Sequence, residues 1–222
     1  MVWTFVLFTL QIVKGQDQVA IDSNYIFSGY TERLEHFKKM PVTHGAIVFL
    51  GNSLTDAGRW NDIIAGQAVL NRGISGDISY GVLARLDEVL RHKPKKIFLM
   101  IGVNDLKRNV PTENIIQNYA RILQKIQQES SKTTIYLNSI LPINPNKLIE
   151  SFKTVSSGDI QVLNTALYAW SQANKRVHYI DLHQVVADSQ GYLREDITPD
   201  GIHLEVAAYV GIVDYLRKVK AL

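Results

Sequence analysis

Four short polar motifs in this chain carry the residue types that acyl transfer requires. Gly51-Asn52-Ser53-Leu54 follows the apolar run 46–50, Asn71-Arg72-Gly73 follows 68–70, and Gly102-Val103-Asn104-Asp105 follows 97–101. The fourth, Asp200-Gly201-Ile202-His203, stands just ahead of the last apolar stretch. Ser53 comes after a tight Gly-Asn turn and before a predicted helix start, where the surrounding amides favour developing negative charge. Asp200 and His203 are one turn apart. That spacing lets the carboxylate take the imidazole Nδ1–H and leaves Nε2 facing a hydroxyl. Asn104 ends the most hydrophobic run, where a polar side chain is costly without a partner, and its NH2 could donate to an oxyanion. Gly73 offers a backbone N–H with no side chain to block a ligand. Brought together, these residues comprise a nucleophile, a base with its orienter, and oxyanion donors. Taken singly, each also has a plainer reading. Ser53 fits a turn or helix cap, Asp200 and His203 fit a solvated helix start, Asn104 fits a bond within its own turn, and Gly73 fits any tight turn.

The elements that must position them alternate along the chain. Runs at 46–50, 68–71, 97–101, 133–140 and 177–181 read as strands, separated by helical stretches at 22–40, 58–65, 79–91, 111–129 and 159–174. A last helix covers 204–219. Within 79–91, Val82, Leu83, Leu86, Val89 and Leu90 fall on one helical face. The strand runs are apolar on both faces, which implies a parallel sheet covered on both sides. In such a sheet ligands bind outside the carboxyl ends of the strands, where three of the four motifs lie. The stretch 142–158, with Pro142, Pro145 and a Ser-Ser-Gly, is the longest irregular segment and also follows a strand end. It reads as a loosely packed lid or specificity loop. There Lys147 and Lys153 would meet polar groups of a substrate, and Ile149 and Phe152 would line an acyl pocket.

At 222 residues the chain suits one well-buried domain. Its 24 basic and 21 acidic residues leave a net charge of +3, too weak a bias to imply a nucleic-acid partner. The basic stretch 91–96 reads as a solvated connection between helix and strand. The absence of cysteine excludes disulfides, thiolate nucleophiles and Cys-ligated zinc. No HExxH motif or acidic ligand cluster occurs, so neither metal nor cofactor is expected. His36, His44, His92, His178 and His183 lack a partner pattern like that of His203, although Asp181 is near His183, and they read as structural or solvated. Residues 2–13 are almost wholly apolar but fall short of the roughly 20 needed to cross a bilayer. They match the apolar core of a cleaved export signal over 1–15, without the usual leading charge. The mature domain is then 16–222, exported, with no stable membrane insertion.

In this order and topology, the four motifs resemble the SGNH hydrolases, also called the GDSL esterase/lipase family, over roughly residues 45–220. The expected fold is a flavodoxin-like three-layer α/β/α sandwich with about five parallel strands. The resemblance implies Ser53 as nucleophile, His203 as general base and Asp200 as its orienter. It further implies an oxyanion hole from the Ser53 N–H, the Gly73 N–H and the Asn104 side chain. Asn52 departs from the family name, which has Asp there. The position is outside the implied triad, so local polar contacts change and the mechanism does not. The strings FLGNSLTDAGRW and NRGISGD are similar to bacterial family members associated with removing acetyl groups from sugars, so a small-molecule or carbohydrate ester is the expected partner. Two rivals stand beside it. One is a lysophospholipase or thioesterase acting on longer acyl chains; the other is a non-catalytic carbohydrate-binding or partner-binding protein that keeps the fold.

Overall fold

Strands β1 (Ile47–Gly51), β2 (Val69–Gly73), β3 (Lys96–Met100), β4 (Thr134–Asn138) and β5 (Val177–Ile180) form one all-parallel sheet in the order β2-β1-β3-β4-β5. The computed structural model describes residues 22–222. The proposed export signal over 1–15 lies outside the described residues. Ile47, Val48, Leu50, Ile97 and Leu99 are fully buried, so both faces of the central strands must be covered by helices. One face carries a row of rings in register. Phe49 stacks on Phe98 (4.8 Å), Phe98 on Tyr136 (4.6 Å) and Tyr136 on His178 (5.2 Å).

The helices are α1 (Ser28–Lys39), α2 (Ser53–Asp56), α3 (Trp60–Ile63), α4 (Ser79–Ala84), α5 (Leu86–Leu90), α6 (Val103–Lys107), α7 (Thr112–Glu129), α8 (Ser157–Ala173), α9 (His183–Val186) and α10 (Val206–Lys218). On one side of the sheet α4, α5, α7 and α8 pack in series. On the other, Trp60 of α3 stacks on Phe49 and meets Tyr209 of α10 edge-on, with α9 against α10. The architecture is the expected α/β/α sandwich. Helix α7 buries Ile115, Tyr119, Ile122 and Ile126 on one stripe, each contributing about 1.5–3 kcal/mol of transfer free energy. The Tyr119 hydroxyl donates to the Ile101 carbonyl (2.7 Å) and accepts from the Ile101 N–H (3.1 Å), which fixes the chain just before Asn104.

Three expectations change. The helix read over 79–91 is two helices, because Arg85 leaves helical geometry (φ −104°, ψ 11°) to turn its guanidinium into the protein. The first helix starts only at Ser28, since residues 22–27 run irregularly ahead of it. The segment 142–158 is not loose. Ile143, Asn144, Phe152 and Val155 are buried, and residues Glu150–Phe152 form a 3-10 turn. The Asn144 N–H donates to the Gly201 carbonyl (3.0 Å) and the Ile149 N–H to the Asp200 carbonyl (3.2 Å), so the loop is bonded to the fourth motif along its backbone.

Candidate active site

Gly51 ends β1, and a Cβ there would lie 2.2 Å from the Met100 carbonyl oxygen, so only glycine lets the chain turn this close to β3. Asn52 then caps α2, its Oδ1 accepting from the Leu54 N–H (3.1 Å). The departure from Asp at this position is thus a neutral N-cap. Ser53 opens α2, and its own N–H has no acceptor among the described residues. Asn71 closes the other end of that helix. Its Nδ2 donates to the carbonyls of Thr55, Asp56 and Gly58 at 2.9–3.0 Å.

The Ser53 hydroxyl lies 3.0 Å from His203 Nε2, and His203 Nδ1 lies 2.6 Å from Asp200 Oδ2. The structure therefore brings these three residues into one line, from β1 on one side and the 200–203 turn on the other. Asp200 Oδ1 also accepts from the backbone N–H groups of Ile202 (3.0 Å) and His203 (2.8 Å). Partial burial raises the Asp200 carboxyl, but the bonds from the His203 ring and these two amides outweigh it and hold the group below the ordinary carboxylate range. An ionised Asp200 keeps the proton on Nδ1 and leaves Nε2 as the acceptor facing Ser53.

Asn104 lies at the start of α6, buried, and donates through Nδ2 to the Asp77 carbonyl at 2.9 Å. An amide NH2 has a second hydrogen, which remains for a ligand. Gly73 does not fit its expected role. Its N–H is already taken by Asn71 Oδ1 at 2.8 Å, and a Cβ there would lie 2.1 Å from the Asp56 nitrogen. The missing side chain allows β2 to press against α2, and the amide has no hydrogen to spare. The 142–158 side chains are corrected too. Lys147 Nζ donates to the carbonyls of Glu195 (2.9 Å) and Thr198 (3.2 Å), so it does not wait for substrate, and Lys153 makes an exposed pair with Glu150. Phe152 is buried with its ring edge-on to His203, centroids 6.3 Å apart.

Several residues beside the site were not singled out from sequence. Gly76 has φ +84°, and its N–H has no acceptor among the described residues. Asp77 and Asp105 are buried carboxylates behind Asn104, and Asn144 is a buried amide behind Asp200. A signal existed for the first of these: the string Gly73-Ile74-Ser75-Gly76-Asp77 places a second glycine and an acid in the same turn.

With that geometry in hand, comparison with known proteins is specific. Residues 49–210 match the GDSL-like Lipase/Acylhydrolase family. The bovine platelet-activating factor acetylhydrolase IB subunit alpha1 is 24% identical over 181 residues, covering 78% of this chain and 74% of that protein. A solved structure from Streptococcus pneumonia is 28% identical with a TM-score of 0.78, covering 86% of this chain and 90% of its own. The acetyl xylan esterase AlAXEase shares the fold at a TM-score of 0.64 and 21% identity, covering 78% of this chain and 98% of its own.

Proposed function

The chain belongs to the GDSL-like Lipase/Acylhydrolase family and is a carboxylic-ester hydrolase, and from that premise we propose that it removes a short acyl group from a carbohydrate through an acyl-enzyme on Ser53. The observation that carries the mechanism is the line from Ser53 through His203 to Asp200, at 3.0 and 2.6 Å. Ser53 Oγ attacks the ester carbonyl while its proton passes to His203 Nε2. The resulting oxyanion is held by the Ser53 N–H, the free hydrogen of Asn104 Nδ2 and, in place of Gly73, the N–H of Gly76. Gly76 takes this role because its amide is unspent, it lacks a side chain, and it is next to Asp77, whose carbonyl holds Asn104. The imidazolium then protonates the departing alcohol. Water, deprotonated in turn by His203, releases the acid and restores Ser53.

Two lines support the short acyl group and the sugar. Both a relative and a structural neighbour carry acetyl removal in their names, one of them from xylan. In addition, a cavity of about 540 Å3 opens beyond the ends of β4 and β5, lined by Tyr168, Tyr179, Gln161, Asn164 and Asp181. Aromatic faces beside amide and carboxylate groups suit a hydroxylated ligand. Three strand spacings, about 14 Å, separate β5 from β1, a span that a sugar chain crosses and a single acetate does not. The test is a panel of p-nitrophenyl esters of graded chain length beside acetylated xylo-oligosaccharides. Highest kcat/KM on acetylated oligosaccharides is the expected result. A preference that climbs with acyl length on lipid esters would replace the sugar with a long-chain substrate, and no turnover of any ester would reject the mechanism.

A further inference from the structure

Behind the oxyanion donors is an ion pair with no exposure at all. Arg85 Nε donates to Asp77 Oδ2 at 2.9 Å, and both side chains are 0% accessible. The same guanidinium reaches two strand ends: Nη2 donates to the carbonyls of Gly51 (3.1 Å) and Arg72 (3.0 Å). Gly51 is two residues before Ser53 and ends β1, while Arg72 is one residue before the end of β2. Asp77 belongs to the turn after β2, and its own carbonyl receives Asn104 Nδ2. One planar side chain thus ties the nucleophile turn, the β2 end and the turn that carries Gly76 and anchors Asn104.

As a stability device this pair is poor. Burying both charges carries a desolvation cost that the attraction rarely repays. Arg85 Nη1 is also buried without an acceptor among the described residues, a further loss. The helix over 79–91 is interrupted at Arg85 to bring the side chain inward. Gly81 is required for the same reason, since a Cβ there would lie 2.0 Å from Asp77 Oδ1. Four costs are accepted at one place, and what they secure is geometry.

A second brace runs parallel. Asp105, adjacent to Asn104, accepts from the Ser79 N–H (3.0 Å) and the Ser79 hydroxyl (2.5 Å), and that hydroxyl accepts from Asn118 Nδ2 (2.8 Å). The turn after β2 is therefore fixed to α6 at two points, the Asp77 carbonyl and Ser79. We infer that Arg85 and Asp77 are positioning residues for the oxyanion hole, setting the distance between the Asn104 amide and the Ser53 and Gly76 N–H groups. Oxyanion donors must be held to a fraction of an ångström, and displacement of about 1 Å costs up to roughly 100-fold in rate.

The inference rests on the proposed acyl-transfer mechanism, and its test is a double-mutant cycle read on p-nitrophenyl acetate. Arg85→Lys keeps the charge but loses the fork that reaches three acceptors. It should lower kcat by roughly 10–100-fold with KM within about twofold. In an Asn104→Ala background the same substitution should have a clearly smaller effect, because one of the three donors whose spacing it sets is gone. Asp77→Asn, which keeps the main-chain carbonyl, should behave likewise and carries the measurement if Arg85→Lys does not fold. A lowered melting temperature with unchanged kcat in the folded variants would overturn the inference. So would rate losses that multiply fully with that of Asn104→Ala. An inactive wild type would instead sink the acyl-transfer reading on which this one stands.

Discussion

Ser53 and Asn104 hang from the ends of β1 and β3, whereas Asp200 and His203 have no strand beneath them. The first pair inherits its position from the sheet: neighbouring strands fix β1 and β3 in register, and Arg85 and Tyr119 secure the two exits. The second pair sits in a turn between Thr198 and α10, and the 142–158 segment holds it from outside. Asn144 is the centre of that support. Its N–H donates to the Gly201 carbonyl, its Nδ2 to the Leu193 carbonyl (2.7 Å), and its Oδ1 accepts from Asn146 and Lys147. Gly201, at φ +83°, would place a Cβ 2.7 Å from the Asn144 carbonyl oxygen. One half of the site is therefore a by-product of the core. The other is a loop-on-loop assembly whose stability is local.

The largest effect should come from breaking the chemistry itself. Ser53→Ala removes the nucleophile from a short helix that stays capped by Asn52 at its start and by Asn71 at its end, so the fold should survive with its melting temperature nearly unchanged. Ester turnover should fall by about four or more orders of magnitude. Stopped assays on purified protein, with a phosphonate label lost in the same variant, check it. Near-normal kcat in Ser53→Ala would remove the serine from the mechanism.

Next in size, and diagnostic of the two supports, is a contrast between Asn104→Ala and Asn144→Ala. The first deletes an oxyanion donor on the sheet-borne half. It should cost roughly 10²–10³ in kcat, about 3–4 kcal/mol, with little change in KM. The second deletes no reacting group but leaves the buried Leu193 carbonyl without its donor and the Asn146 N–H without its acceptor, a loss of about 1–3 kcal/mol in stability. At about 2–4 °C per kcal/mol for a domain of this size, its melting temperature should drop visibly. Because the loop carries the 200–203 turn, kcat should fall as well, through His203. If Asn144→Ala lost activity without losing stability, the loop would be touching substrate and not merely holding the histidine.

That contrast also explains what could be read from the chain. The sheet-borne half was legible because apolar runs and the polar residues that end them are local signals, and Ser53 and Asn104 each fall inside such a motif; Asp200 and His203 were legible for a different local reason, their one-turn spacing. Gly73 was misassigned because sequence marks where a glycine is needed without saying why. Here the need is close packing on Asp56, and the amide is bonded to Asn71. The 142–158 segment looked loose because its bonds are long-range: Asn144 to Leu193, Lys147 to Thr198, Ile149 to Asp200. No spacing within the segment encodes them. Arg85 was hidden in the same way, since a helical periodicity over 79–91 says nothing about an arginine turned inward to reach two strand ends.

The smallest effect concerns pH, and it separates the two halves by sign. Burial pushes the Asp105 carboxyl up to about 7, and burial, against the pull of Arg85, pushes Asp77 up to about 6. A carboxyl raised in the folded state contributes stability that is complete below its unfolded value of 3.8 and fades as pH rises through its folded value. Asp200 is lowered, so its contribution is complete above 3.8 and fades only below that. Between pH 4 and 7 Asp200 is therefore silent, and the braces behind Asn104 alone should weaken with rising pH. The melting temperature of the wild type should fall from pH 5 to pH 8 through these two groups. Asp105→Asn keeps an oxygen for the Ser79 N–H but cannot ionise, and its melting temperature should vary less over the same range. The measurement is a pair of thermal melts at each pH. A variant whose pH dependence matched the wild type would mean that Asp105 stays in one protonation state throughout, leaving Asp77 as the only group through which pH acts on this brace.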